Sequence, residues 1–308
     1  MGQFLQQLIN GIQIGSIYAL IALGYTMVYG IVRLINFAHA DIFMFGAYMG
    51  FFLAPKMAMI FGGAFVPTII AAMLITGLLG FIMEKLAYRP LRYKSRLSAL
   101  ITALGVSIFL ENFCAMDFVL FGVHFVFGPT YRKFPDLIVA KNIPIPGNLG
   151  LNISNVLLLD VGVSVILMVL LFWFVNKTLI GKQMRAVAFD KPTASLMGIN
   201  IDVVISTAFI VGPALAGAGG ILYGTTYGML ASPFLGIWPG LKAFIAAVLG
   251  GIGNIPGAVL GAYIMGISEA FATSVNSNLG YGIAFAILIG ILLIRPSGLL
   301  GKFMPEKV

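Results

Sequence analysis

Charge is what this sequence has least of. Of its 308 residues, 18 are Lys or Arg and 10 are Asp or Glu, together 9%. Soluble domains carry about 25% charged and about 45–50% apolar residues, whereas 60% are apolar here. That shortage excludes a soluble globular enzyme, a disordered chain and a nucleic-acid binder with a basic face in water. No nucleic-acid partner is expected despite the net charge of +8. Cysteine is nearly absent, and the single Cys114 excludes an internal disulfide and any cysteine-based metal cluster. His39 and His124 are too few for a histidine metal site without many carboxylate partners. The phosphate-binding pattern G-x-x-x-x-G-K-[ST] is missing too, since Lys182 is followed by Gln183 and Lys302 by Phe303. H-E-x-x-H, G-x-S-x-G and GxGxxG are also absent. The expectation is therefore no metal, no cofactor, no catalytic residue and no ATP hydrolysis by this polypeptide.

What is present is long apolar runs. Residues 1–32, 57–83, 203–241, 243–268 and 270–294 contain no charge, and 97–110 and 161–176 are as clean but shorter. A spanning helix needs about 20 apolar residues, and a membrane β-barrel would instead show alternating segments of about 10. The fold class is thus all-α, a polytopic transmembrane helical bundle forming one domain over 1–308. The expected spans are 4–29, 35–54, 64–86, 97–121, 155–176, 203–227, 241–272 and 281–294. The first lacks the basic flank of a signal peptide and is read as a retained helix. Glycine, 38 residues of the chain, suits close helix contacts in lipid. Within 241–272, GGIGNIPG at 250–257 will not hold a continuous helix. The segment reads as two shorter helices meeting at a broken or re-entrant turn.

The basic residues are unevenly placed. The 85–96 connection carries five, 177–191 carries four, the tail from Arg295 carries three, and Arg33 follows the first helix. These thirteen of 18 mark one side as cytoplasmic. For the tail to return to that side, the glycine break must lie toward the cytoplasm or the segment must be re-entrant, giving eight or nine crossings. The 122–154 stretch is then an external loop, and its NIPIPG run at 142–147 is expected to be extended.

Two regions attract a functional reading. The cytoplasmic stretch 177–202 is amphipathic. Asp190 is a plausible N-cap, Pro192 suits a first turn and Gly198 a C-terminal stop. A small helix is expected there, either lying on lipid headgroups or docking a soluble partner. Ionisable groups at membrane depth form the second set, since burying them is costly. Glu111, about fifteen residues into its expected helix, is placed deepest, beside Asn112. The Asn36–Asp41 turn with His39, the broken segment with Asn254, and Glu269 are the other candidate pathway groups, while Asp117 and Asp160 are placed nearer helix ends. A self-contained ion-coupled carrier would use Glu111 or Glu269. An intramembrane enzyme would need a paired nucleophile and base, and none is visible.

Four segments carry a family resemblance. Residues 24–50 (GYTMVYGIVRLINFAHADIFMFGAYMG), 181–200, 247–269 (AVLGGIGNIPGAVLGAYIMGISE) and 295–301 (RPSGLLG) together resemble branched-chain amino-acid ABC transporter permeases of the LivH type. The likeness runs in order over nearly the whole chain. It implies a permease domain over 1–308 in a bacterial inner membrane, with 177–202 as a cytoplasmic coupling loop. It implies as partners a second homologous permease subunit, two ATP-binding cassette ATPases, and an extracytoplasmic binding protein that delivers Leu, Ile or Val. Similar permeases carry urea or short amides. Aligned on Gly198, the importer pattern E-A-A-x-x-x-G falls on Pro192, Thr193 and Ala194. The glutamate is replaced, and Arg185, Asp190 or Lys191 would supply the charge toward the ATPase. Ala40 stands where the resemblance leads one to expect Gly.

Overall fold

The computed structural model describes all residues except 35, 93, 121–122, 127–131, 145–150, 231–233 and 302–308. Among the described residues the chain forms eleven α-helices and three two-stranded antiparallel sheets. In chain order the helices are α1 (Gly2–Val32), α2 (His39–Phe61), α3 (Phe65–Met83), α4 (Arg96–Ala115), α5 (Asn155–Lys177), α6 (Leu179–Phe189), α7 (Lys191–Leu196), α8 (Ile201–Tyr227), α9 (Ile237–Gly250), α10 (Ile255–Val275) and α11 (Leu279–Ile294). Seven are long and apolar enough to cross a membrane: α1, α2, α3 with its continuation to Leu91, α4, α5, α8 and α10. The fold is an all-α membrane bundle.

Its centre is α1. Fourteen consecutive residues, 15–28, are buried, and α10, α8, α9 and α5 pack around them. Lipid supplies no hydrophobic drive between helices, so contact depends on close backbone approach. Glycine permits it along two seams. A Cβ added to Gly266 of α10 would stand 2.3 Å from the Gly15 amide nitrogen, and one added to Gly46 of α2 would stand 2.5 Å from the Cα of Gly217 in α8.

One end of the bundle carries the 85–96 connection, α6, α7 and Arg295; it is called the basic end, and the opposite one the loop end. At the loop end, Gln6 of α1 exchanges two hydrogen bonds of 3.1 Å with the Asn152 backbone. The sheets also lie there. Asp117–Leu120 pairs with Val123–Val126, Arg132–Lys133 with Met229–Leu230, and Asn142–Pro144 with Asn152–Ser154.

Two helices begin inside the bundle. His39, the first residue of α2, rests against Gly24, about two turns before α1 ends. Gly236, which precedes α9, rests on the Ala40 carbonyl at the same depth. From there the 14 residues of α9 rise about 21 Å at ~1.5 Å per residue, short of a bilayer core of ~30 Å. Among the described residues α8 ends at the loop end and α9 ends at the basic end, and α10 and α11 then run out and back to bring Arg295 to the basic end.

The glycine break lies at the basic end, where Gly253 faces Gly30. Its freed backbone groups are satisfied by the chain's own tail. Leu299 and Leu300 amides donate to the Leu249 and Gly250 carbonyls at 2.8 and 3.0 Å. Asn254 caps α10 by accepting from the Gly257 amide at 3.0 Å, and its own amide donates to the Leu300 carbonyl at 2.7 Å. Gly298, at φ 79°, makes this turn with its Cα face against Gly251. The RPSGLLG tail is therefore the lid of the glycine break.

Several boundaries differ from the sequence reading. The 97–121 span ends at Ala115, because the apolar residues that follow form a strand. The second span begins at His39 rather than 35 and runs past Pro55 to Phe61. The broken segment starts at Ile237. The small helix expected between Asp190 and Gly198 is α7, and a second helix, α6, precedes it across the Asp190 junction. Of the proline run, Asn142–Pro144 is extended, and 145–147 lies outside the described residues.

The seams give a direct test. Gly266→Val should destabilise the protein by about 3 kcal/mol or more through forced overpacking, whereas Gly290→Val, whose Cβ meets nothing within 4 Å, should not. Thermal unfolding in detergent, followed by fluorescence, compares the two.

Candidate coupling surface and buried polar groups

At the basic end, α6 folds back sharply on α5. Thr178 accepts from the Gly181 amide at 3.0 Å, and Gly181 lies against the Val175 carbonyl, leaving no space for a Cβ. The Arg185 guanidinium donates to that carbonyl, placing a cation at the negative end of α5. Asp190 caps α7 through the Thr193 amide at 2.9 Å, with Pro192 in the first turn. Gly198 ends the segment at φ 81°.

This corner is bonded to α1 in both directions. Arg33 donates to the Ala188 carbonyl at 3.0 Å, and Lys191 donates to the Val32 carbonyl at 3.2 Å. Burial, with Arg33 and Arg92 nearby, lowers the Lys191 pKa from its ordinary value. Ala194 is buried and faces the bundle. Three large apolar side chains project away, Phe189, Leu196 and Met197, at 80%, 88% and 79% exposed, beside the exposed Thr193 and Ser195. Sequence reasoning sought charge here and missed these three, although three large apolar residues bracketing a short capped helix were visible.

A second joint lies beside it. After α3 the chain makes one π turn, Glu84–Tyr88, and a 3-10 turn, Arg89–Leu91. The fully buried Glu84 pairs with Arg92, which also pairs with Asp202 at the start of α8, as does Arg89. Ser206 donates to Glu84 at 2.7 Å. The network locks α3 to α8, and π turns recur at functional joints.

The membrane-depth candidates fall into separate places. Asn36, His39 and Asp41 cluster at the start of α2. Asn36 accepts from the Tyr88 hydroxyl at 2.6 Å, the His39 ring lies tilted with its centroid 4.7 Å from that of Tyr25, and Asp41 accepts from Ser107 at 2.5 Å. All three are buried. Glu111 does not lie at mid-depth: it is in the last turn of α4, partly exposed, because that helix ends at Ala115. Asn112 bonds its own helix at the Ile108 carbonyl, 2.8 Å away. Asn254 serves the glycine break described above.

Glu269 has a partner that the sequence did not suggest. Lys242 of α9 donates to its Oε1 at 2.5 Å and the Tyr18 hydroxyl to its Oε2 at 2.9 Å. Lys242 also sits 4.8 Å over the Tyr281 ring. The available signal was that Lys242 is the lone charge between 203 and 268, yet pairing across 27 positions on two helices leaves no local pattern. Asp160, placed near a helix end from sequence, is fully buried in the second turn of α5. Gln13 and Thr226 donate to its Oδ2 at 2.6 and 2.5 Å. Among the described residues no group of three or more His, Cys, Asp and Glu is placed to hold a metal ion.

The buried pair predicts an asymmetric mutant cycle. Glu269→Gln leaves the Lys242 cation unpaired and should cost about 3–5 kcal/mol, while a Lys242→Leu, Glu269→Leu double variant should recover most of that loss. Thermal unfolding in detergent reads both.

Residues 7–293 match the family described as the permease component of branched-chain amino acid transport systems. The high-affinity branched-chain amino acid transport system permease protein BraD of Pseudomonas aeruginosa is 40% identical over 319 residues, covering 99% of this chain and 98% of that protein. The LivH permease of the corresponding system in Escherichia coli K12 is 40% identical over 311 residues, with the same coverage. A probable branched-chain permease LivH of Methanocaldococcus jannaschii is 28% identical over 298 residues, covering 93% of this chain and 89% of that protein.

Proposed function

This chain belongs to the permease family of branched-chain amino acid transport systems, as a multi-pass protein of the bacterial inner membrane, and on that premise we propose that it forms half of an ATP-driven import pathway for Leu, Ile and Val. The basic end faces the cytoplasm, following the excess of Lys and Arg there. Residues 177–202 are the coupling loop, and the loop end with the external 122–154 stretch receives a binding protein. A second homologous permease completes the pathway, and two separate ATPase chains supply the energy.

The observation that carries this reading is the exposed apolar face of Phe189, Leu196 and Met197, held on a capped helix that is bonded to the core at Arg33 and Lys191. Apolar side chains offered to water at a rigid corner suit a groove on a soluble partner. Force applied there reaches α1 through the Arg33 and Lys191 bonds and α8 through Asn200, whose side chain caps that helix at 3.0 Å. The Glu84–Arg92–Asp202 network passes the motion to α3. Pro213 inside α8 gives a bending point. Asp190, Lys191 and Ala194 shape the corner, and Arg185 and Gly198 reach its surface as well. An ion-coupled carrier gains no support from the family, and amino acids are favoured over urea or short amides by the relatives' own substrates.

Docking tests the assignment. In detergent, Leu196→Asp with Met197→Asp should leave the permease folded but abolish co-purification of the ATPases and binding-protein-stimulated hydrolysis. Normal co-purification with that double variant would refute the coupling surface.

A further inference from the structure

Asp160 is better placed for a ligand than for support of the fold alone. Its Oδ2 takes both available bonds, from Gln13 and Thr226. Its Oδ1 is buried with no hydrogen-bond partner, and so is the Ser164 hydroxyl one turn further along the same face of α5. Both residues are fully buried. A buried acceptor left unpaired is costly, and two orphaned groups four residues apart share one face of a helix.

Directly beyond them, at the loop end, is a cavity of about 400 Å³. Val156, one turn before Asp160, lines it, and so does Thr226, whose hydroxyl is bonded to Asp160. Phe134, Leu137, Ile138 and Tyr227 make up the apolar part of the remaining wall. The carboxylate thus lies about one helical turn beneath the floor of a cavity with a mixed apolar and polar wall, to which Asp136 and Thr225 also contribute, with Thr226 between them.

We propose that Asp160 and this cavity form the outer binding site of the permease, in which Oδ1 of Asp160 and the Ser164 hydroxyl receive the α-ammonium group of the incoming amino acid and the cavity wall receives its branched tail. The proposal rests on the amino-acid importer reading above and names the group by which the permease itself recognises that substrate. An ammonium carries three donors and no acceptor, so it supplies what the orphaned oxygens lack and neutralises the buried anion. A carboxylate is repelled there, and a neutral amide gains less. Gln13 and Thr226 hold Oδ2 in place, and Oδ1, buried beneath the cavity floor, is reached when the floor at Thr226 opens to the entering ammonium. The amino acid then enters ammonium first.

Asp160→Asn separates this role from a structural one. The Asn carbonyl still accepts from Gln13 and Thr226, but its amide puts a donor where the ammonium should donate. In proteoliposomes holding the whole complex with binding protein and ATP, the Asn variant should lose leucine uptake about tenfold or more, the scale of a charge-assisted hydrogen bond. Its binding-protein-stimulated ATPase should stay near wild type, and Asp160→Glu should restore much of the uptake. Unchanged uptake by the Asn variant overturns the site while leaving the importer reading intact. Should the Asn variant fail to assemble, or the wild-type complex itself show no uptake, the purified wild-type permease still decides. Dicyclohexylcarbodiimide labels carboxyl groups in apolar surroundings, and labelling of Asp160, read by mass spectrometry, should be blocked by leucine. It should not be blocked by 4-methylpentanoate, which has the same tail and carboxylate without the ammonium. Equal labelling with and without leucine, or protection by both compounds, overturns the proposal.

Discussion

A backbone amide or carbonyl in hydrocarbon has no water to bond, so every break in a helix must be repaired by the protein itself. This constraint organises the bundle. Helices stop or start inside the bundle at His39, at Ile237 and at the 251–254 turn, and each needs company. At the glycine break the company is the tail, whose Leu299 and Leu300 amides close the open carbonyls of α9. The interior starts of α2 and α9 lie against each other, with Gly236 and Gly240 admitting Ala40 between them. A segment that looks like an appendage in sequence is therefore part of the core's hydrogen bonding.

The same constraint decides what the few charges do. A cation and an anion at depth are tolerable as a pair, and Lys242 with Glu269 and Tyr18 is such a set. Such a pair is weak evidence for stability on its own, but it joins α9 to α10 and α1. Toward the basic end the Glu84, Arg92 and Asp202 network does the equivalent for α3 and α8. Between these two joints glycines admit the neighbouring helix closely, as Gly46 does Gly217 and Gly80 does Phe209, around a core of buried Leu20, Ile21, Phe43 and Ile221, where displacement of one helix must move its neighbour. The Arg33 and Lys191 bonds then make the 188–191 corner an extension of α1 rather than a loose loop.

Much of this was legible in the sequence, for identifiable reasons. Spans followed from charge-free windows because lipid forbids charge. The break at 250–257 followed from glycine and proline chemistry, and the cap at Asp190 and stop at Gly198 from local backbone rules. Four segments in order carried the family. What could not be read was long-range. Lys242 gave no sign of its partner, and nothing in the sequence around Glu84 marked it as a buried anchor. Glu111 was placed too deep because Phe118–Leu120 continue the apolar run after the helix has stopped. Apolar periodicity separates helix from strand poorly over so few residues. The exposed Phe189, Leu196 and Met197 were overlooked because an amphipathic cytoplasmic segment invites attention to its charges. The orphaned oxygen of Asp160 exists only once α1, α5 and α8 have met.

In the proposed function this chain is a passive half-pathway, driven from the corner at 188–197 by ATPases on separate chains. Leucine uptake by liposomes tests it most directly. Vesicles holding this chain alone, with proton and sodium gradients imposed, should accumulate no leucine. Vesicles holding it with the second permease, the ATPases, ATP inside and the binding protein outside should accumulate leucine. Gradient-driven accumulation by the chain alone would contradict the account.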